Sequence, residues 1–214
     1  MAMRGLFEPA SIGLMESISI RRALARGAVH AAMGSMIAIA LLLFPRFPVV
    51  IALAVCTVTF LTFEAARLDM PYVRRYFFVL FAPVMRKEEE NQLTGGSYLL
   101  IGSLVSALVF PAYIASIAIV FLALGDPTAG IVGRWLGKTP VWRKNLEGNF
   151  ACFAACLLGG GLVAGFLSPQ PVIMLVFGAF AATVCQALPW RLNDNLTIPI
   201  GSGLVMMLVS SLTL

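Results

Sequence analysis

Five stretches of the chain contain no Asp, Glu, Lys or Arg: 27–45, 47–63, 91–125, 148–190 and 195–214. A helix needs about 20 apolar residues to cross the hydrocarbon core of a bilayer, within a range of about 17–25. The first, second and last stretches each fit one crossing. Stretch 148–190 is too long for one, and Ser168-Pro169-Gln170-Pro171 divides it into two. Stretch 91–125 carries Pro111 near its middle and reads as a hairpin of two short helices, about 97–110 and 112–125, with one kinked helix as the alternative. Segment 71–85 is apolar but opens with Arg74 and Arg75, which favours an interfacial helix. Charged residues make up only 12% of the 214 positions, about half the usual share, which excludes an ordinary soluble enzyme. The expected fold class is all-α: a polytopic membrane helix bundle of about seven transmembrane helices.

The few charges orient this bundle. Arg4, Arg21, Arg22 and Arg26 precede the first span, and Arg67, Arg74, Arg75, Arg86 and Lys87 follow the second. Arg134, Lys138, Arg143 and Lys144 occupy the next polar segment, and Arg191 the last. Positive residues collect on the cytoplasmic side. An inside N-terminus satisfies all of them if 91–125 is a hairpin, and leaves only Arg46 outside. The organisation is then a cytoplasmic N-terminal segment, 1–26, and a single transmembrane domain, 27–214. Residues 1–26 lack the apolar core of a cleavable signal peptide. Chemistry belongs at the cytoplasmic rim or within the bundle. Cys56, Cys152, Cys156 and Cys185 lie in apolar spans and read as small buried hydrophobes.

The segment Gly125–Gly148 is the richest in polar signals. An acid, Asp126, ends an apolar run, and Gly130, Gly133 and Gly137 follow at helical spacing. Arg134, Lys138 and Lys144 come next, then Glu147. Glycines let backbone amides approach a phosphate, and Lys and Arg neutralise it. A rim carboxylate can hold Mg²⁺, which takes one or two carboxylates plus substrate phosphates. Gly137-Lys138-Thr139 imitates the end of a P-loop, but Val132 stands where that motif needs glycine. The plainer reading is that the glycines pack helices and the bases set topology.

A second polar knot, Asn193-Asp194-Asn195-Leu196-Thr197, separates two spans on the same expected face. A turn with a helix cap explains one such residue. Two acids converging from distant positions read as a shared metal site, Asp126 with Asp194. Glu64 and Arg67 form a possible helical ion pair at the end of the second span. His30 is the single histidine, and Gln186 is a buried amide that needs partners. Glu88-Glu89-Glu90 reads as a solvated charge run.

In order along the chain stand Arg26…His30…Gly34, Glu64 and Arg67, Arg86 with Glu88–Glu90, Thr94-Gly95…Tyr98, Gly125-Asp126, Gly130, Gly133, Gly137-Lys138, Lys144-Asn145-Leu146-Glu147-Gly148 and Asn193-Asp194-Asn195-Leu196-Thr197-Ile198-Pro199. In these pieces, spread over about residues 20–204, the chain resembles the CTP-dependent lipid kinases: dolichol and polyprenol kinases, phytol kinases and CTP-using diacylglycerol kinases. It departs from the family pattern at Gly27, where Lys is frequent, and at Gln186, where Glu is usual. An amide coordinates metal only weakly and accepts no proton usefully.

The resemblance implies phosphoryl transfer from CTP to a membrane lipid alcohol, with polyprenol or dolichol first and diacylglycerol or phytol as alternatives. Asp126 and Asp194 are then expected to hold Mg²⁺. Lys138, Lys144 and Arg134 would neutralise the triphosphate, with amides around Gly130–Gly137 adding hydrogen bonds. Glu147 would orient Lys144 or bind a second metal. Asn193, Asn195, Thr197, His30, Glu64 and Arg67 complete the binding candidates. The expected setting is a prokaryotic plasma membrane with the site facing the cytoplasm, and no nucleic-acid partner. A lipid-phosphate cytidylyltransferase is the nearest rival, but its Gly-His-Gly-Gly and Asp-Arg-x-Asp signature is absent. A small transporter or non-catalytic membrane protein would need charge deep in the spans, whereas these acids sit at their ends.

Overall fold

The computed structural model describes residues 8–189 and 192–213. Arg4 and Arg191, both used in the charge argument, lie outside the described residues. The elements run α1 (Glu8–Leu43), α2 (Arg46–Asp69), α3 (Pro71–Phe81), a 3-10 turn (Lys87–Asn91), α4 (Gly95–Val109) and α5 (Ala112–Leu136). There follow a two-stranded hairpin, β1 (Pro140–Val141) and β2 (Lys144–Asn145), then α6 (Leu146–Phe166), α7 (Val172–Ala187) and α8 (Asp194–Thr213). Among the described residues five helices are long and apolar enough to cross a membrane: α1 from Ile20, α2, α5, α6 and α8. The shorter apolar helices α4 and α7 bring the count to the expected seven. The chain is an all-α, multi-pass membrane bundle.

Local signals set these boundaries. Pro111 has no N–H for the carbonyl of Ala107, so α4 stops and α5 begins one residue beyond it. The carbonyls left open at the end of α4 are taken by Arg46, whose guanidinium donates to Ala107 O at 2.8 Å and to Leu108 O at 3.0 Å. Arg46, on the far side of the bundle, thus serves as a helix cap. Pro171 opens α7 after the Ser168–Gln170 break. The first helix is longer than its charge-free stretch and runs back without interruption to Glu8.

Helix α5 is the axis of the bundle. Ile114 through Ala123 are all buried, as expected for a helix apolar on every side. Small residues let its neighbours come close. A Cβ on Gly34 of α1 would fall 2.6 Å from Ala123 Cβ, and one on Gly125 would meet Cys152 and Cys156 Sγ of α6 at 3.0 and 2.7 Å. The outer surface is rich in large apolar side chains, with Phe47, Phe166 and Val172 about three-quarters exposed or more. Such a belt suits acyl chains rather than water.

The segment near 71–85, expected as an interfacial or partly inserted helix, forms the short helix α3. Its Phe77 is fully buried against Phe60, Phe63 and Phe81, while Tyr72, Tyr76, Val79 and Leu80 face outward. Because consecutive spans alternate direction, the starts of α1, α4, α6 and α8 and the ends of α2, α5 and α7 share one end of the bundle. That end carries nearly all the charge.

Candidate active site

A cavity of about 530 Å³ opens at the charged end. Its lining includes five cations, Arg26, Arg86, Arg134, Arg143 and Lys144, and three carboxylates, Glu89, Asp126 and Asp194. Large apolar side chains, Met33, Phe60, Phe77, Phe81 and Leu99, line it as well. Five cations against three carboxylates leave a surplus of positive charge in a partly enclosed space, which attracts an anion.

Asp126 and Asp194 come from distant helices to a common partner. Lys144 Nζ lies 3.8 Å from Asp126 Oδ1 and 3.2 Å from Asp194 Oδ2, and Arg143 also pairs with Asp194. Asp126 is held by what flanks it: Gly125 seats against the two α6 cysteines, and Pro127 packs on Gly27 of α1. Asp194 is the first residue of α8, where a carboxylate is favoured by the helix dipole. Asn193 precedes it, its Oδ1 accepting from Asn195 N–H at 3.0 Å. Asn195 reaches across to α4 and donates to Gly95 O at 2.7 Å.

The hairpin delivers the two cations. Trp142 and Arg143 form its turn, with Trp142 at φ 52°, a left-handed conformation costly for an L residue. Asn145 fixes the base. Its Oδ1 accepts from Gly148 N–H at the start of α6, and its Nδ2 donates to Gly133 O on α5, both at 2.8 Å. A Cβ on Gly133 would stand 2.8 Å from Asn145 Oδ1, so the glycine is what admits this cap. Glu147 accepts from Thr139 N–H and Oγ1 and closes the other side of the hairpin.

The structure brings His30, Asp126, Gly130, Arg134, Lys144, Asn193, Asp194 and Asn195 to the cavity wall. The remaining sequence candidates stand elsewhere. Lys138 is exposed and outside the cavity lining. Glu147 bonds Thr139 rather than Lys144. Thr197 is set back in α8, its buried Oγ1 without a hydrogen-bond partner among the described residues. The expectation that α5 ends at the acid is corrected: the helix continues through Pro127 to Leu136. Amides around Gly130 and Gly133 therefore belong to a helix rather than a phosphate-binding loop, and Gly133 and Gly137 make room for Asn145.

Glu64 and Arg67 are fully buried behind the cavity. Their 3.4 Å ion pair organises residues 89–97. Glu64 accepts from Thr94 N–H and Ser97 Oγ, while Arg67 donates to the carbonyls of Glu89, Glu90 and Gln92 and stacks on Phe77. The Glu88–Glu90 run is also more than a solvated face. Glu89 turns its carboxylate to Arg86 N–H and Gly95 N–H, both at 2.9 Å, and lines the cavity. Arg26, Arg86, Glu89 and Arg143 are site residues that the sequence reading left unassigned. Arg26, Arg86 and Glu89 belong to the ordered motif pieces, the one signal that could have flagged them.

Among the described residues no group of three or more His, Cys, Asp or Glu could hold a metal alone. Two carboxylates on one cation position, beside space for a polyphosphate, nevertheless fit Mg²⁺, whose remaining ligands are water and phosphate oxygens.

The site and fold define a multi-pass membrane protein with a basic, acid-bearing cavity at one end of its helix bundle. Over 163 residues the chain is 32% identical to CTP-dependent diacylglycerol kinase 1 of Schizosaccharomyces pombe, covering 69% of this chain and 75% of that protein. It is 25% identical over 165 residues to an uncharacterised protein of Rickettsia prowazekii, covering 74% and 81% of the two chains. No family model and no solved structure matches. The chain belongs to the CTP-dependent lipid kinases, and it is a membrane lipid kinase.

Proposed function

We propose that the chain transfers the γ-phosphoryl group of CTP to the hydroxyl of a membrane lipid alcohol, releasing CDP and the lipid monophosphate. The observation that carries this reading is a cavity whose lining combines cations and carboxylates with large apolar side chains. Diacylglycerol is placed first among acceptors because the Schizosaccharomyces pombe relative is a diacylglycerol kinase. Polyprenol, dolichol and phytol share its essential chemistry, an alcohol on an apolar tail. The positive charges gathered at the cavity end favour a cytoplasmic side for it by the positive-inside rule.

Asp126 and Asp194 are the residues that would hold Mg²⁺. The ion would supply charge neutralisation to the triphosphate. Lys144 and Arg143, which pair with these carboxylates, are the cations placed to oppose phosphate oxygens. Arg26, Arg86 and Arg134 oppose the rest of the triphosphate charge. The lipid tail lies along Phe60, Phe77 and Phe81, with its hydroxyl beside His30 and the acids. One of the two aspartates takes the hydroxyl proton as the new O–P bond forms. Positioning and charge stabilisation account for most of the rate in such a transfer.

Purified protein incubated with CTP and each lipid alcohol tests the reading. Label from the γ position should enter the lipid, with CTP preferred to ATP. With a lipid phosphate as acceptor instead, transfer from the α position would establish a cytidylyltransferase. No transfer to any alcohol would overturn the kinase reading.

A further inference from the structure

A second, smaller cavity of about 230 Å³ adjoins the first and shares Gly130, Arg134, Arg143 and Lys144 with it. It lies between α5, the start of α6 and the end of α7. Gln186 of α7 closes it. That side chain is fully buried, and neither its Oε1 nor its Nε2 has a hydrogen-bond partner among the described residues. A buried amide with both ends unpaired is unfavourable unless something else completes it. Its polar neighbour in the lining, Asn145, makes no bond to it and is bonded instead to Gly148 and Gly133. Gly130 and Gly133 of α5 and Gly148 of α6 are among its other lining residues.

Building on the reading of the larger cavity as the triphosphate site, we propose that this side cavity receives the cytosine ring and that Gln186 is its specificity residue. Cytosine presents a donor, the 4-amino group, beside an acceptor, N3. A carboxamide presents the complementary pair. Gln186 Oε1 accepts from the 4-amino group while Nε2 donates to N3, forming two parallel hydrogen bonds in the ring plane. The shared cations Arg134 and Lys144 stand where the ribose and phosphates pass from one cavity to the other. A glutamate at this position would offer acceptors only.

The test measures binding to the full chain in detergent. The probes are CTP, the 2-pyrimidinone ribonucleoside triphosphate that lacks the 4-amino group, and inorganic triphosphate. The unaltered protein should prefer CTP to the 2-pyrimidinone analogue by about tenfold or more. Gln186→Leu should weaken CTP by roughly 10–100-fold, bind the two nucleotides alike, and keep its affinity for inorganic triphosphate. Unchanged CTP binding in the variant would overturn the proposal. So would an equal loss for inorganic triphosphate, which marks a wall residue only. If the variant does not fold, the unaltered protein decides alone: equal affinity for CTP and its analogue overturns the assignment. Cytosine-selective binding without phosphoryl transfer to any lipid would fail the kinase reading while leaving the base site standing.

Discussion

Lys144 Nζ lies 3.2 Å from Asp194 Oδ2, an ion pair between a two-residue strand and the first residue of the last helix. The same ammonium stands 3.8 Å from Asp126. The lysine thus gathers both acids at one point and keeps them balanced before any substrate binds. A divalent cation and a polyphosphate together could exchange partners with this pair at little electrostatic cost, because each ion finds an opposite charge.

Neutralising either acid should stop turnover while sparing the fold. Asp126→Asn and Asp194→Asn keep size and hydrogen-bonding capacity, so each variant should elute as the parent does on size exclusion. Each should lose about 10²–10³-fold or more in kcat with CTP and lipid. A variant with parental kcat removes that residue from the site.

Lys144 and Lys138 lie in the same polar segment but are placed differently, one against the acids and the other exposed outside the cavity. Lys144→Met should therefore lose at least about tenfold more kcat/KM for CTP than Lys138→Met, the loss following the charge that faces phosphate. Equal losses would argue for Lys138 at the triphosphate.

Breaking the Glu64–Arg67 pair should act on stability. Both side chains are fully buried, and Glu64→Ala leaves an uncompensated guanidinium, a cost of about 3–5 kcal/mol. The melting temperature in detergent should fall clearly. Glu64→Leu combined with Arg67→Met, which removes both charges, should fall less. Melting equal to the parent in Glu64→Ala would show the pair to be dispensable.

The proposed orientation makes a mapping prediction. With native cysteines replaced, a cysteine at Thr139 should react with impermeant reagents from the cytoplasmic side, and one at Phe47 from the opposite side. Reversed labelling would invert the bundle.

The spans were legible because crossing a bilayer is a local demand: a length of apolar chain, ended by charge or proline. Pro111 and the Ser168–Pro171 break mark their turns without reference to the rest of the fold. The acids at 126 and 194 were legible as isolated polar positions at span ends, and the structure brings them to one cation. What the sequence hid is long-range. Glu64 and Arg67 read as site residues because buried charge in a membrane protein is usually functional, yet their partners are backbone groups of residues 89–94. Nothing local to Glu89 distinguishes it from its two neighbours. Gly133 looked like a phosphate cradle because the use of a glycine depends on what approaches it. Here the visitor is Asn145, whose reach across the hairpin no short window of residues reveals.

The mixed lining of the main cavity carries a practical consequence for the proposed reaction. A water-borne nucleotide and an oil-borne alcohol would meet there with each still lodged in its own medium. Neither must be extracted first, so supply of the greasy reactant becomes a matter of sideways diffusion within the leaflet rather than solubility.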